Sequence, residues 1–344
     1  MSKIRASLGY VRRPGPLVAV SLVYVFLVSG VMMWRGISVS PDYLLLVLVP
    51  VALLSGRFLG FLRDWVPFIA LFFGYEAIRN LLPKTHFRVH YEFVIRLDKG
   101  LFAGTDPSQW LQAHLGSVHW LRVACTVVYF CHFLLPIAVG MALWLIDRVQ
   151  FLRFVVALLG VSFAAFIVFM LVPVAPPWMA GEHHYLHGVH SLLALPSAVS
   201  PIYTWLDPDS TAAFPSLHAA YPLLCALALW RLNRRLSVVL FAWSLVVWFS
   251  VVFLGQHYVT DILGGVVFAL VGWLIMTKVA VPLVPALQYR PARSDRPARS
   301  GRSARSGRPG PDEHPASEQG ATDLEGAEPG GAEVIEPTSA PGVS

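Results

Sequence analysis

Seven stretches of this chain are apolar for long enough to cross a bilayer, near residues 17–34, 66–82, 120–145, 154–172, 214–230, 236–254 and 259–277. A hydrocarbon core takes about 20 apolar residues of helix. Within it every backbone N–H and C=O must be satisfied inside the protein, so stretches of this length are helices. An eighth stretch, 43–55, is short and carries Pro50. Composition agrees with this reading: 56% of residues are hydrophobic and 13% charged, against about 25% charged in a soluble domain. The expected fold class is therefore an all-α integral membrane protein with about eight transmembrane helices.

Charge sets the expected topology. With the N-terminus inside, the inner turns carry Arg57 and Arg63, then Arg148 and Arg153, then Arg231, Arg234 and Arg235, then Lys278. The outer connection 173–213 has no Lys or Arg, as the positive-inside rule requires. Only the outer segment 83–119 is basic, and its stretch "EFVIRLDKGLF" reads as an amphipathic helix on the surface. Lys3, Arg5, Arg12 and Arg13 precede the first run, which is long for a signal peptide and reads as a retained span. The basic balance of the body is thus a topology signal, with no nucleic-acid partner implied. Both termini are expected in the cytoplasm.

From Gln288 onward large apolar side chains nearly vanish, the composition of a disordered segment. Arg290, Arg293, Arg296, Arg299, Arg302, Arg305 and Arg308 recur there every third residue, which lines them along one side of a polyproline II helix. That stripe faces an anionic leaflet if the tail is cytoplasmic; a linker without function reads equally well. Cys125, Cys131 and Cys225 all lie in apolar runs, an odd count that fits small packing residues better than disulfides.

"TAAFPSLHAAYP" opens one apolar run with a serine and a histidine. This helix runs inward, a tight basic turn follows, and the next run returns outward to "GQHYVTDILGG". One helical hairpin therefore brings His218 and His257 to the same outer face. Asp261 lies four residues after His257, on the same helix face. A carboxylate beside an imidazole fixes its tautomer and steadies its charged form. Ionisable groups at membrane depth are costly and mark function. Two helix N-termini at this face offer positive dipole ends to an anion such as phosphate. Ser216 is placed either to cap its helix or to bond a phosphate oxygen.

"PSLH" and "GQHYVTDILGG" together resemble the second and third signature motifs of the type 2 phosphatidic acid phosphatase superfamily. "YEAIR" (Tyr75 to Arg79), "APPWM" (Ala175 to Met179) and "LFAGTDPSQWLQ" are similar to its inositol phosphorylceramide synthase-like, or inositolphosphotransferase, branch. The likeness covers roughly residues 65–278. It implies a six-helix catalytic core preceded by two N-terminal helices, hence the divisions 1–64, 65–287 and 288–344. It also implies that His257 becomes phosphorylated, that Asp261 supports it and that His218 protonates the leaving alcohol. The second motif usually reads Pro-Ser-Gly-His, and here Leu217 stands in the glycine's place. The arginine usual six residues before the third-motif histidine is Val251 here, and no Lys-x6-Arg-Pro first motif is found. The phosphate charge then needs other cations; Arg79 comes first, with Lys84 and Arg88 behind it.

Two further histidine sites stand out. His183, His184, His187 and His190 of "EHHYLHGVH" suit a lid, plain loop composition or, least, a metal. His132, inside "VVYFCHFLLP", reads as a hydrogen-bonded core residue, although its position resembles one in the same branch. The expected activity is metal-independent, without cofactor: hydrolysis or transfer of a lipid-linked phosphate at the extracytoplasmic face of the plasma membrane. Expected partners are the bilayer, a phosphorylated lipid or polyprenyl phosphate, and an alcohol acceptor such as inositol. The competing readings are a non-catalytic transporter or scaffold of this fold and a histidine-cluster metal enzyme.

Overall fold

The computed structural model of the chain describes residues 19–21, 23–25, 27–28, 41–79, 88–194 and 211–288. Ten α-helices follow one another among the described residues from position 41 onward. They are α1 (Pro41–Leu54), α2 (Phe58–Arg79), α3 (Glu92–Leu101), α4 (Pro107–Leu115), α5 (His119–Ile146), α6 (Arg148–Leu171), α7 (Pro177–Glu182), α8 (Leu217–Leu229), α9 (Arg234–Phe253) and α10 (Val259–Ile275). The last continues through a π-helical turn, Met276–Ala280, into Val281–Leu283. The described residues contain no strand, only isolated parallel bridges from His90 to Val174 and from Val174 to Ala212. The arginine-stripe segment and the rest of the tail beyond position 288 lie outside the described residues.

Three of these helices are long and apolar enough to cross a membrane: Arg148–Leu171, Arg234–Phe253 and the continuous Val259–Leu283. The two halves of α5, bent by 44° between His132 and Leu134, make a fourth if taken as one span. The expected count of eight is not reached among the described residues. α1 has 14 residues and α8 only 13. At about 1.5 Å per residue α8 is roughly 20 Å long, shorter than a hydrocarbon core of about 30 Å. The cause is local, because the apolar stretch that follows Phe214 supplies the Pro215–Ser216 approach as well as the helix.

Polar residues set the helix ends. Asp147 caps α6 by accepting from Val149 and Gln150 N–H, both at 3.0 Å. Asn233 caps α9 through Leu236 N–H, and Asp106, followed by Pro107, caps α4 through Gln109 N–H. Pro136 explains the bend in α5: it cannot donate to the His132 carbonyl four residues back.

α8 is the central rod, packed against α5, α6, α9 and α10. Its Ala219, Ala220, Cys225, Ala226 and Ala228 are fully buried. Small side chains let helix backbones approach closely where lipid offers no hydrophobic drive. α10 instead turns Leu263, Val267, Leu270 and Leu274 outward, about half exposed, the surface expected of a helix facing acyl chains.

α2 begins eight residues before the apolar run near 66, so the expected start of that helix is corrected. Arg63 and Asp64 interrupt the apolar pattern, but Asp64 is paired. Arg148 holds it with two bonds of 2.6 Å, and Trp144 Nε1–H donates to it at 3.1 Å. Arg57 stacks over the Trp144 ring at 4.6 Å and donates to the Trp144 and Leu145 carbonyls. A helix can thus carry charge through this end of the bundle.

Candidate active site

His218 is the second residue of α8, and His257 lies two residues before α10. The α8–α9 hairpin returns the chain over nearly matching lengths, and the two imidazoles meet: His218 Nδ1 is 3.0 Å from His257 Nε2. The expected convergence is what the structure contains. Its geometry also fixes a tautomer. His257 Nδ1 lies 3.1 Å from the Ala213 carbonyl oxygen and 3.4 Å from Asp261 Oδ2. Both neighbours accept, so Nδ1 carries the proton and the Nε2 lone pair points at His218.

Asp261 is fully buried. Its Oδ2 also accepts the Tyr258 N–H at 2.9 Å, whereas Oδ1 has no hydrogen-bond partner among the described residues. The backbone of this residue joins the two histidine segments, because the Ser216 N–H donates to the Asp261 carbonyl at 3.0 Å. Such proximity requires Gly264 and Gly265. A Cβ on Gly265 would fall on the Ser216 carbonyl oxygen, and one on Gly264 would enter the Phe214 ring. The "GG" of the third motif is therefore a packing surface for the second. Gly255, at φ +74°, turns the chain where the His190 carbonyl comes close.

The two helix N-termini differ, which corrects the expectation that both seat an anion. At α10 the Val259 and Thr260 N–H groups donate to Asp98 at 2.9 and 2.8 Å, and the Thr260 hydroxyl bonds it too. A carboxylate from α3 thus occupies that end. At α8 the Ser216 hydroxyl accepts from Ala219 N–H at 3.3 Å, so Ser216 is the N-cap, and it is fully buried. Asp98 is a functional-site neighbour that the sequence reading misses. The signal was present: Val94, Ile95 and Asp98 share the buried stripe of α3, and an acid on an apolar stripe needs donors.

His132 is buried and hydrogen-bonded as expected, with Nδ1 2.9 Å from the Tyr129 carbonyl. Its place was not expected: its ring centroid is 3.7 Å from that of His218, and the Tyr129 ring stacks on His218 at 4.5 Å. Val251, in the place of the usual arginine, is fully buried in an apolar cluster with Tyr129 and Ile262. Its carbonyl accepts from Gln256 and His257 N–H, so the position supports His257 through backbone alone.

Of the expected phosphate-binding cations, Lys84 and the Arg79 side chain lie outside the described residues. Arg88 is exposed on the strand-like segment leading to His90. That segment bonds 173–175, which bonds 211–213, whose Ala213 carbonyl meets His257. The histidine-rich loop is tied down, against the reading of a flexible lid. Gln112 bonds both the N–H and carbonyl of His190, Gln109 donates to the His187 carbonyl, and Trp178 and Leu192 N–H donate to Gly255 and Leu254. Tyr185 stacks on Tyr91 at 4.5 Å. Among the described residues no three His, Cys, Asp or Glu side chains group as metal ligands.

The arrangement offers a nucleophilic nitrogen, a second imidazole within proton-transfer distance and a buried carboxylate behind the first. A family model described as the PAP2 superfamily matches residues 92–275, which hold all three groups. The chain is 27% identical over 253 residues to phosphoinositol dihydroceramide synthase of Bacteroides thetaiotaomicron, covering 60% of this chain and 80% of that protein. It is also 24% identical over 166 residues to an uncharacterized protein of Methanocaldococcus jannaschii, covering 47% and 64% respectively. No solved structure matches. With more than half of the chain matched, and the paired histidine motifs inside that match, this membrane protein belongs to the PAP2 superfamily.

Proposed function

We propose that the chain transfers or hydrolyses a lipid-linked phosphate through a phosphohistidine at His257. The observation that carries this is the tautomer: Nδ1–H is held by the Ala213 carbonyl and Asp261, which leaves the Nε2 lone pair facing His218 at 3.0 Å. In the first step the His257 Nε2 lone pair forms an N–P bond. The bond from phosphorus to the leaving alcohol oxygen breaks, and that oxygen takes a proton from the His218 imidazolium. In the second step His218, now neutral, accepts a proton from an incoming hydroxyl. Its oxygen forms the new P–O bond as the N–P bond breaks and His257 is restored.

The rings touch, so a substrate must part them before the phosphoryl group can enter. Asp261 holds the Nδ1 proton in place and offsets the imidazolium-like charge of a phosphorylated His257. The α8 N-terminus, capped by Ser216, faces that group, whereas Asp98 makes the α10 N-terminus unsuited to an anion. Arg79, Lys84 and Arg88 are proposed to neutralise the phosphate. No step of this chemistry uses a metal.

Water as the incoming hydroxyl gives a phosphatase; an alcohol such as inositol gives a phosphotransferase. The name of the Bacteroides relative, which joins phosphoinositol to dihydroceramide, favours transfer. The arginines that cap the opposite end of the bundle support an extracytoplasmic site and cytoplasmic termini. Product analysis tests the reading: purified protein in vesicles with phospholipid donors, with and without inositol, in the presence of chelator. A transferred or released phosphate lost in His257→Ala supports it. A His218→Ala, His257→Ala double variant with full biological function would instead favour a lipid carrier of the same fold.

A further inference from the structure

His132 is an imidazole delivered by a broken helix. Pro136 withholds a donor from the His132 carbonyl, and the 44° bend of α5 falls between His132 and Leu134. The bend turns this ring against α8, where it lies 3.7 Å from His218, centroid to centroid, at 40° between planes. Tyr129, one turn earlier on α5, lies 4.5 Å from His218 at 24°. His132 is 3% exposed. Its Nδ1 faces the Tyr129 carbonyl, which can only accept, so Nδ1 is protonated and the ring orientation is set.

The two members of the catalytic pair are thus backed differently. Behind His257 stands the Asp261 carboxylate. Against His218 stand two aromatic rings from one helix. The titratable groups facing His218 are Tyr129 and His132 of α5 and His257 with Asp261 behind it; Tyr221, one turn along α8, lies 6.3 Å from the His132 ring. An aromatic face within about 6 Å of a cation attracts it. His218 must be a cation to protonate a leaving oxygen.

We propose that Tyr129 and His132 are positioning residues that hold His218 as an imidazolium with Nδ1 aimed at His257, their ring faces serving it as the Asp261 carboxylate serves His257. The inference rests on the acid role given to His218 above. The proton count closes within each turnover: His218 gives one proton to the leaving oxygen and takes one from the incoming hydroxyl, and neither aromatic neighbour changes its own.

The test reads His218 directly, through its modification by diethyl pyrocarbonate, which attacks only the neutral imidazole. Modification of the His218 peptide is followed by mass spectrometry against pH, without lipid, in wild type and in four variants. His132→Leu and Tyr129→Leu remove a ring face; His132→Phe and Tyr129→Phe keep it. The account expects the midpoint of modification to fall by about one pH unit in each leucine variant and to stay with wild type in the phenylalanine variants. In turnover assays the leucine variants lose about tenfold in kcat with KM held.

Equal midpoints in wild type and both leucine variants would overturn the inference. So would phenylalanine variants that fall together with the leucine ones, which would assign the effect to the His132 nitrogens or the Tyr129 hydroxyl. The two positions are independent, so a misfolded variant at one leaves the other to decide. Because the modification needs no substrate, it decides this point even if wild type proves inert towards every lipid donor, a result that would strike the proposed function instead.

Discussion

Asp64 and Asp261 are both buried in the helical bundle, at opposite ends, and the protein treats them in opposite ways. Asp64 is saturated: a bidentate Arg148 and the Trp144 indole take both oxygens. Asp261 is more deeply buried, yet one of its oxygens has no partner among the described residues, and the other is shared between a backbone N–H and His257. A buried carboxylate fully met by donors locks helices together. One left partly unmet beside an imidazole keeps electrostatic force for chemistry. Asp98 is the intermediate case, with its oxygens met by the backbone and hydroxyl at the start of α10. It is structural in its bonding, but what it holds is the segment that follows His257.

Exchanging the chemistry of these sites should break the comparison most plainly at Asp261. Asp261→Asn leaves the volume and can present its amide N–H to the histidine in place of an acceptor, which upsets the tautomer. Turnover should fall by about 10³- to 10⁴-fold while thermal stability in detergent stays close to wild type. Asp64→Asn should do the reverse. It leaves the partly exposed Arg148 and the Trp144 indole without their acceptor, costing about 1–3 kcal/mol of stability, with kcat of the surviving folded protein preserved. Thermal unfolding beside active-site-normalised turnover separates the two. Equal effects of both variants on both readouts would erase the distinction.

Gly265→Ala probes how tightly the two motifs are joined. The added methyl meets the Ser216 carbonyl, a backbone atom that cannot swing away. Overpacking of this kind costs about 1–3 kcal/mol and should displace His218 relative to His257, so turnover falls more than stability does. Asp98→Asn keeps one acceptor and loses the charge, at a cost of about 1–3 kcal/mol. A drop in kcat beyond that expected from lost folded protein would identify Asp98 as a support of the site. The smallest effect belongs to Arg96→Gln, which removes an exposed pair with Glu92 on α3. It should change stability by less than about 0.5 kcal/mol and leave turnover alone.

The sequence was most legible where one local rule carried far. Two apolar runs joined by a basic turn must return the chain to the face it left, and this alone brings His218 to His257. The spacing of four between His257 and Asp261 anticipated their contact but not its cause: His257 precedes the Tyr258 N-cap instead of sharing a helix face, and the approach to α10 brings it to Asp261. Charge hid the start of α2, because Arg63 and Asp64 look like a helix boundary until Arg148, far along the chain, is seen to pair with Asp64. Asp98 was overlooked for the same reason, since its partners lie 161 and 162 residues away. Pro136 was visible within "HFLLP", but only packing against α8 reveals that its kink carries His132 to the site. Val251 shows in the sequence only as the absence of the usual arginine; its backbone carbonyl, which no side-chain pattern reports, supports His257.

The measurement that bears most directly on the central claim is to locate the covalent intermediate. Protein incubated with a labelled phospholipid donor, quenched in alkali and digested, should carry the phosphoryl group, free or with its headgroup, on the peptide containing His257. The label should be absent in His257→Ala and should accumulate when the acceptor is withheld. Label on any other residue, or undiminished transfer by His257→Ala, would contradict the account.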